Sequence, residues 1–370
     1  TVLPTYVANS LLLMVGVGSG VLVVGVGTAW LVTMCRFPGR KIFEWALLLP
    51  LAAPAYLLAY VYTEVLAYYG PVQTSLRNWF GWETMQDYWF PNVRSLWGAA
   101  LMLILTLYPY VYLLARTAFL SQSTCTLEAS RSLGCGPWKS FLTVALPLAR
   151  PAITAGLSLA LMETLNDFGT VQFFGVNTFT TGIYRTWFGM GERPAATQLS
   201  AILLLFVLVL IWVERWSRGQ ARFYQTSSAV HQLSSYRLRG MRAIAAFLAC
   251  FMPLTLGLLI PGGVLLKMAL ASVFGADNTG DNDYPVSSGV SVKSFWDFAS
   301  HSFTLAVLTA GIAVILSILM AYGLRLSPQR LTRAATQIAV MGYAVPGSVI
   351  AVGILVPLGG LDNAIADWTK

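Results

Sequence analysis

Three polar residues interrupt an apolar run that reads LMETLNDFGTVQFFG: Glu163, Asn166 and Asp167. On a helix they fall at i, i+3 and i+4 and so share one face. Two carboxylates and a carboxamide on one face could line a polar path that tolerates a cation. Glu163 lies twelve residues past Pro151, roughly 18 Å along a helix. If that helix crosses a bilayer, the acid sits past the middle of the hydrocarbon core. Acids at that depth are costly and usually face the bundle interior or water. Two structural readings stand beside this one: pairing with a basic residue on another helix, or a helix that ends early and leaves Asp167 in the outer interface. Other chemistry is poorly represented. Cys35, Cys125, Cys135 and Cys250 have no CxxC spacing, and His231 and His301 are far apart, so no metal site is expected. There is no HExxH, no GxSxG and no GxxxxGK[ST] phosphate loop. The chain is therefore not expected to be an enzyme or to hold a cofactor of its own.

The elements that must carry these residues follow from composition. The 370 residues are 56% hydrophobic and only 10% charged, with a mean hydropathy of +0.67. A soluble domain carries about 25% charged residues, so lipid is the solvent that tolerates this chain. The net charge of +8 does not signal nucleic acid, because the basic residues lie in short clusters between apolar runs. A spanning helix needs about 20 apolar residues. Eight segments qualify, at roughly 7–34, 42–66, 95–116, 152–173, 199–214, 243–266, 302–324 and 335–358, the fifth being short. The fold class expected is an all-α, polytopic transmembrane bundle of about eight helices. Gly16 and Gly20 form a GxxxG that reads as a packing face. The loop 70–95, with Trp79, Trp82, Tyr88 and Trp89, reads as an outer interfacial segment.

Sixteen of the 23 basic residues fall in alternate loops. These are Arg36, Arg40 and Lys41; Arg116, Arg131, Lys139 and Arg150; Arg215, Arg218, Arg222, Arg237, Arg239 and Arg242; and Arg325, Arg330 and Arg333. Cytoplasmic loops are enriched in Lys and Arg, which assigns this set to the cytoplasm and Thr1 to the outside.

The run from Asn9 resembles the run from His301: Ser10 matches Ser302, Ala29 matches Ala321, Trp30 matches Tyr322, and Pro54 matches Pro346 in the following helix. Six crossings lie between the copies, so the repeat is parallel, with two halves related by an axis along the membrane normal. Residues 1–240 read as a first half lacking its first helix. Residues 241–370 read as the start of a second half, cut before its own counterpart of the loop at 121–150. A complete protein is expected to extend past both ends, with about twelve helices.

That loop reads TLEASRSLGCGPWKSFLTVALPLARPAI. It resembles the EAA loop of binding-protein-dependent ABC importer permeases, in which E-A-A, three residues, G, nine residues and I-x-L-P follow one another. Glu128, Ala129 and Ser130 stand at E-A-A, Gly134 at the glycine, and Val144, Leu146 and Pro147 at I-x-L-P. Ser130 and Val144 are the two departures. Glu128 near a helix start suits the helix dipole, and Gly134 can end that helix in a left-handed conformation. The resemblance implies a type I permease fold in a bacterial inner (cytoplasmic) membrane. It also implies a cytosolic ABC ATPase dimer, with its own ATP and Mg, docking on this loop, and a periplasmic substrate-binding protein docking outside, with segment 174–198 part of that surface. The stretch from Glu163 to Ser200 resembles the iron(III) branch, which fuses two permease halves in one chain. Thiamine, phosphonate and polyamine permeases share the architecture. The alternative is a secondary transporter that uses Glu163 and Asp167 as proton carriers.

Overall fold

A computed structural model describes residues 2–122, 132, 134, 136–218, 236–274, 292–327, 329–342 and 345–368. Among them, seven helices are long and apolar enough to cross a membrane, and eight if one bent pair counts as a single span. The all-α, multi-pass expectation is met; the described strands, β1 (Cys35–Arg36) and β2 (Tyr236–Arg237), form one short parallel pair. The chain divides into two compact units, Thr1–Leu265 with Pro346–Lys370, and Leu266–Val345.

In the first unit, α1 (Leu3–Met34) packs along α5 (Leu96–Ser121). Small residues set the approach. A methyl group built on Gly25 would lie 2.8 Å from Val111 Cβ and 3.0 Å from the Tyr108 carbonyl oxygen. A methyl on Gly20 would meet the Ile104 side chain, so the packing face read from Gly16 and Gly20 continues to Gly25, where the contact includes backbone. Without a hydrophobic drive between helices in lipid, such close backbone contact is what holds spans together. Ser95 starts α5 by accepting the Gly98 N–H, at 3.1 Å. The core is Leu13, Val17 and Val21 of α1 against Leu103, Tyr108, Tyr112 and Phe119 of α5, all fully or almost fully buried.

The second segment is broken, where the sequence suggested one span over 42–66. It comprises α2 (Arg40–Ala46), a tight turn at Leu49–Ala52 and α3 (Ala55–Leu66). The axis of Arg40–Ala52 meets that of Ala55–Phe80 at 89°. The cause is Pro54, which lacks an N–H and forces the residue before it out of the helical region. Ala53 is extended, with φ −93° and ψ 117°. Beyond α3 lies α4 (Pro71–Phe80), a short helix capped by left-handed Gly81. Its aromatic neighbours Phe80, Trp82 and Tyr88 stack on one another.

The fourth span begins with α6 (Pro137–Ser140), passes through one wide π turn and continues as α7 (Leu146–Asn166). It stops at Asn166, seven residues earlier than the 152–173 reading. The chain then forms α8 (Gly169–Phe173) and α9 (Phe179–Tyr184). The fifth span, α10 (Arg193–Arg218), is longer than the sequence suggested. The sixth comprises α11 (Met241–Leu254), a π turn at Thr255–Leu259 and α12 (Ile260–Phe274). The π turn packs on the broken segment: a methyl on Gly257 would meet Pro50 Cβ at 3.2 Å, and Tyr62 donates to the Leu256 carbonyl at 2.7 Å.

In the second unit, α13 (Val292–Leu326) is followed by α14 (Arg330–Met341), which folds back against it. The last span, α15 (Gly347–Trp368), belongs to the first unit and packs on α10. The expected span 335–358 is thus split between α14 and α15. The split repeats the first copy's order: long helix, short helix, proline, helix. α3 starts at Ala55 and α15 at Gly347, the same offset that relates Pro54 to Pro346.

Candidate functional site

The break at Pro54 opens a cavity of about 220 Å³. Leu51, Ala53, Pro54 and Ala55 line one side, and Leu103, Thr106, Leu107 and Tyr110 of α5 another. Glu163, Asn166 and Asp167 complete the wall. The three polar residues picked from the sequence therefore meet at one cavity, although they do not share one helical face. Glu163 and Asn166 ride on α7, but Asp167 lies past its end, with φ −64° and ψ 127°. Irregular backbone at membrane depth is tolerated where it lines such a cavity. The proline break and the acids are two aspects of one local structure.

The roles of the three differ. Asp167 accepts from Thr170 Oγ1 at 2.9 Å and from the Val171 N–H at 3.1 Å, satisfying donors at the start of α8. Its own carbonyl accepts from Thr180 Oγ1 at 2.7 Å. This is the early helix end anticipated as the structural reading of Asp167. Asn166 Oδ1 accepts the Gly347 N–H at 2.8 Å, so it caps the start of α15 across 181 residues of sequence. Glu163, half-buried, brings a carboxylate to the cavity wall from within α7.

The loop at 121–150 is the second candidate region. Glu128, Ala129 and Ser130 lie outside the described residues. Gly134 is exposed and has φ 78°, a left-handed conformation open to glycine at little cost. Val144 and Leu146 are half-buried against the core, and Pro147 is exposed. Two features that the sequence did not signal fix the base of the loop. Gln122 Nε2 donates to the Ala145 carbonyl at 2.8 Å and so ties the two ends of the excursion together. Phe141 packs on Trp30 with centroids 4.7 Å apart, and Trp30 meets Phe119 edge-on at 5.6 Å. This aromatic clasp joins the ends of α1 and α5 to the helix that leaves the loop. Close by, Glu44 pairs with Arg40 at 3.6 Å and with Arg116 at 3.5 Å, while Arg40 Nε donates to the Val32 carbonyl at 2.6 Å. α1, α2 and α5 are thereby tied together at the loop end of the bundle. Among the described residues no cluster of His, Cys, Asp and Glu is arranged to hold a metal ion.

A helical bundle with broken spans around a polar cavity, and an excursion anchored at one end, defines a multi-pass membrane protein of the transport class. Residues 21–220 match the profile of the binding-protein-dependent transport system inner membrane component, and the chain belongs to that family. It is similar to the Fe(3+)-transport system permease protein FbpB 2 of Haemophilus influenzae, at 25% identity over 357 residues, 94% of this chain and 62% of that protein. It is also similar to the molybdenum transport system permease protein ModB of Escherichia coli, at 29% identity over 207 residues, 53% of this chain and 87% of ModB. The sulfate transport system permease protein CysT of Escherichia coli matches at 27% identity over 197 residues, 51% of this chain and 67% of CysT. The chain thus spans less than two thirds of the length of the iron permease, but most of the length of ModB.

Proposed function

We propose that this chain is the membrane-spanning permease part of an ATP-driven importer in a bacterial inner membrane, and that its cargo is ferric iron released by a periplasmic binding protein. The observation that carries the choice of cargo is the acidic cavity at the Pro54 break. Among the similar proteins are permeases named for iron, molybdenum and sulfate transport. Molybdate and sulfate are anions, and two carboxylates on a cavity wall of low dielectric repel them. A cation is attracted by the same wall. The match to FbpB 2 along 94% of this chain points the same way.

The mechanical half of the proposal rests on the loop. A cytosolic ATPase dimer, holding ATP and Mg, docks on the loop whose sequence includes Glu128, Ala129, Ser130 and Gly134. Closure of the dimer pushes the loop, and the Gln122–Ala145 tie and the Trp30–Phe119–Phe141 clasp pass that push to α1, α5 and α7. α7 carries Glu163, and α5 lines the opposite wall, so the cavity changes shape with the loop. Family membership favours this reading over one driven by an ion gradient.

The test is uptake of radiolabelled ferric iron by the full-length protein with its binding protein and ATPase in proteoliposomes. Glu163→Gln keeps size and removes the charge. Expected is a loss of uptake of tenfold or more with the ATPase still bound. Wild-type uptake by this variant would remove iron from the reading. Uptake by the wild type without an ATPase would remove the whole of it.

A further inference from the structure

Four arginines meet where the short strands pair, and none of them lines the cavity at Pro54. β1 and β2 run parallel with Arg36 opposite Arg237, and the Leu238 N–H donates to the Arg36 carbonyl at 3.1 Å. Like charges directly opposite on adjacent strands repel. Arg239 and Arg242 follow within one turn, and with Arg237, Leu238 and Met241 they line a surface cavity of about 380 Å³. None of the four arginines forms an ion pair with a carboxylate among the described residues; Glu44, on α2, is engaged by Arg40 and Arg116. The cluster therefore concentrates positive charge that no described carboxylate neutralises.

What surrounds the cluster identifies the occupant. α11 starts at Met241 and is held against α2 by Phe43 and Phe247, whose rings meet edge-on at 5.2 Å. On either side of that contact Ile42, Trp45, Ile244 and Leu248 are exposed, Trp45 at 72% and Ile42 at 71%. Ile244 and Leu248 follow Arg242 along α11, and Met241, 80% exposed, is itself part of the cavity lining. A ligand that satisfies both regions needs an anionic head and a hydrocarbon body. Basic pockets at the cytoplasmic ends of spanning helices suit such heads, and the distribution of basic residues assigns this end to the cytoplasm. A free anion would use the arginines and leave Met241 and the exposed apolar face of α2 and α11 without a role.

We infer that the cavity formed by Arg237, Arg239 and Arg242, flanked by Arg36, is a binding site for the phosphate head of an anionic phospholipid of the inner leaflet, whose chains lie along α2 and α11. The lipid would neutralise the opposed Arg36 and Arg237 and brace the α2–α11 contact, next to the Arg40–Glu44–Arg116 junction.

The experiment titrates the detergent-solubilised full-length protein with phosphatidylglycerol, with phosphatidylcholine of the same chains, and with inorganic phosphate. Native mass spectrometry counts bound lipid, and the thermal midpoint reports stabilisation. Expected is retention and stabilisation by phosphatidylglycerol alone. The Arg237→Gln, Arg239→Gln, Arg242→Gln triple variant should lose affinity for it on the order of a hundredfold, at about a factor of five per arginine. Arg325→Gln, outside the cavity, should keep it. A triple Arg→Lys variant retains the charge and should retain most of the preference, which separates a lost site from a lost fold. Equal stabilisation by phosphatidylcholine overturns the site, as does full retention by the Gln variant. Equal stabilisation by phosphate alone overturns the lipid as its occupant.

Discussion

Replacing Gly25 by alanine isolates the packing that holds α1 to α5. The added carbon would sit 2.8 Å from Val111 Cβ and 3.0 Å from both the Tyr108 oxygen and the Tyr112 nitrogen. Carbon–carbon contact is comfortable at about 3.5–4.0 Å, so the helices must separate by roughly 1 Å. Two of the three clashing atoms are backbone and cannot rotate away. Overpacking of this kind costs about 1–3 kcal/mol. Against it stands the gain of alanine over glycine in a helix, about 0.5–1 kcal/mol. Gly27, two residues on, has nothing within 4 Å of its would-be methyl. There only the helical gain applies. Gly25→Ala should therefore lower the apparent thermal midpoint by a few degrees, while Gly27→Ala leaves it unchanged or raises it. The assay is fluorescence-detected size exclusion of the heated, detergent-solubilised protein, the two variants side by side. Equal midpoints for both would refute the account of α1 and α5 as backbones in contact.

Phe141→Ala removes the ring that meets Trp30 and should cost about 1–3 kcal/mol, because Phe141 is only half-buried. Its more telling effect is expected in the assembled transporter, where stimulation of ATPase activity by the loaded binding protein should fall several-fold while the subunits still co-purify. Asn166→Leu deletes the acceptor for the Gly347 N–H and should destabilise by about 1 kcal/mol, whereas Asn166→Asp keeps the acceptor and should not; thermal midpoints of the pair decide this. The Asp87 carboxylate accepts the N–H groups of Thr84, at 2.7 Å, and Glu83, at 2.9 Å, and these bonds hold its pKa below the usual carboxylate range. A depressed acid stabilises above its unfolded pKa, about 3.9, and loses that contribution as pH falls through the folded value. Amide exchange of Thr84 and Glu83 should therefore stay slow relative to the Asp87→Ala variant from neutral pH down to about 5, and the difference should vanish only at pH below the ordinary aspartate value.

The spans were legible because no solvent other than lipid accommodates such composition, and six of the eight lie where the apolar runs lie. The breaks were less so. Averaged hydropathy treats Leu51–Ala55 as apolar and is blind to what Pro54 does to the backbone before it, so 42–66 read as one rod. The same blindness joined α14 to α15 across Pro346. At Asn166 the signal for the early end was Asp167 itself, whose carboxylate accepts from donors at the start of a new short helix. α10 read as short because Arg193 and Arg215 were counted out of the span, although charged ends can project beyond the hydrocarbon. Meeting of the acids at the Pro54 break followed from the sequence only as an inward-facing patch. Asn166 capping a helix that begins at Gly347, and Trp30 meeting Phe119 and Phe141, join residues too distant in the chain for any local pattern to announce.

The tie between Gln122 and Ala145 has a consequence for how such proteins diverge. A protrusion whose two ends are pinned at its neck pays a closure entropy that grows only as the logarithm of its length. Residues beyond the neck can be added, dropped or recut at small thermodynamic cost, while the bundle beneath registers no change. If the loop receives a motor subunit as proposed, its contact face can drift with that motor, lineage by lineage, independently of what passes through the bilayer.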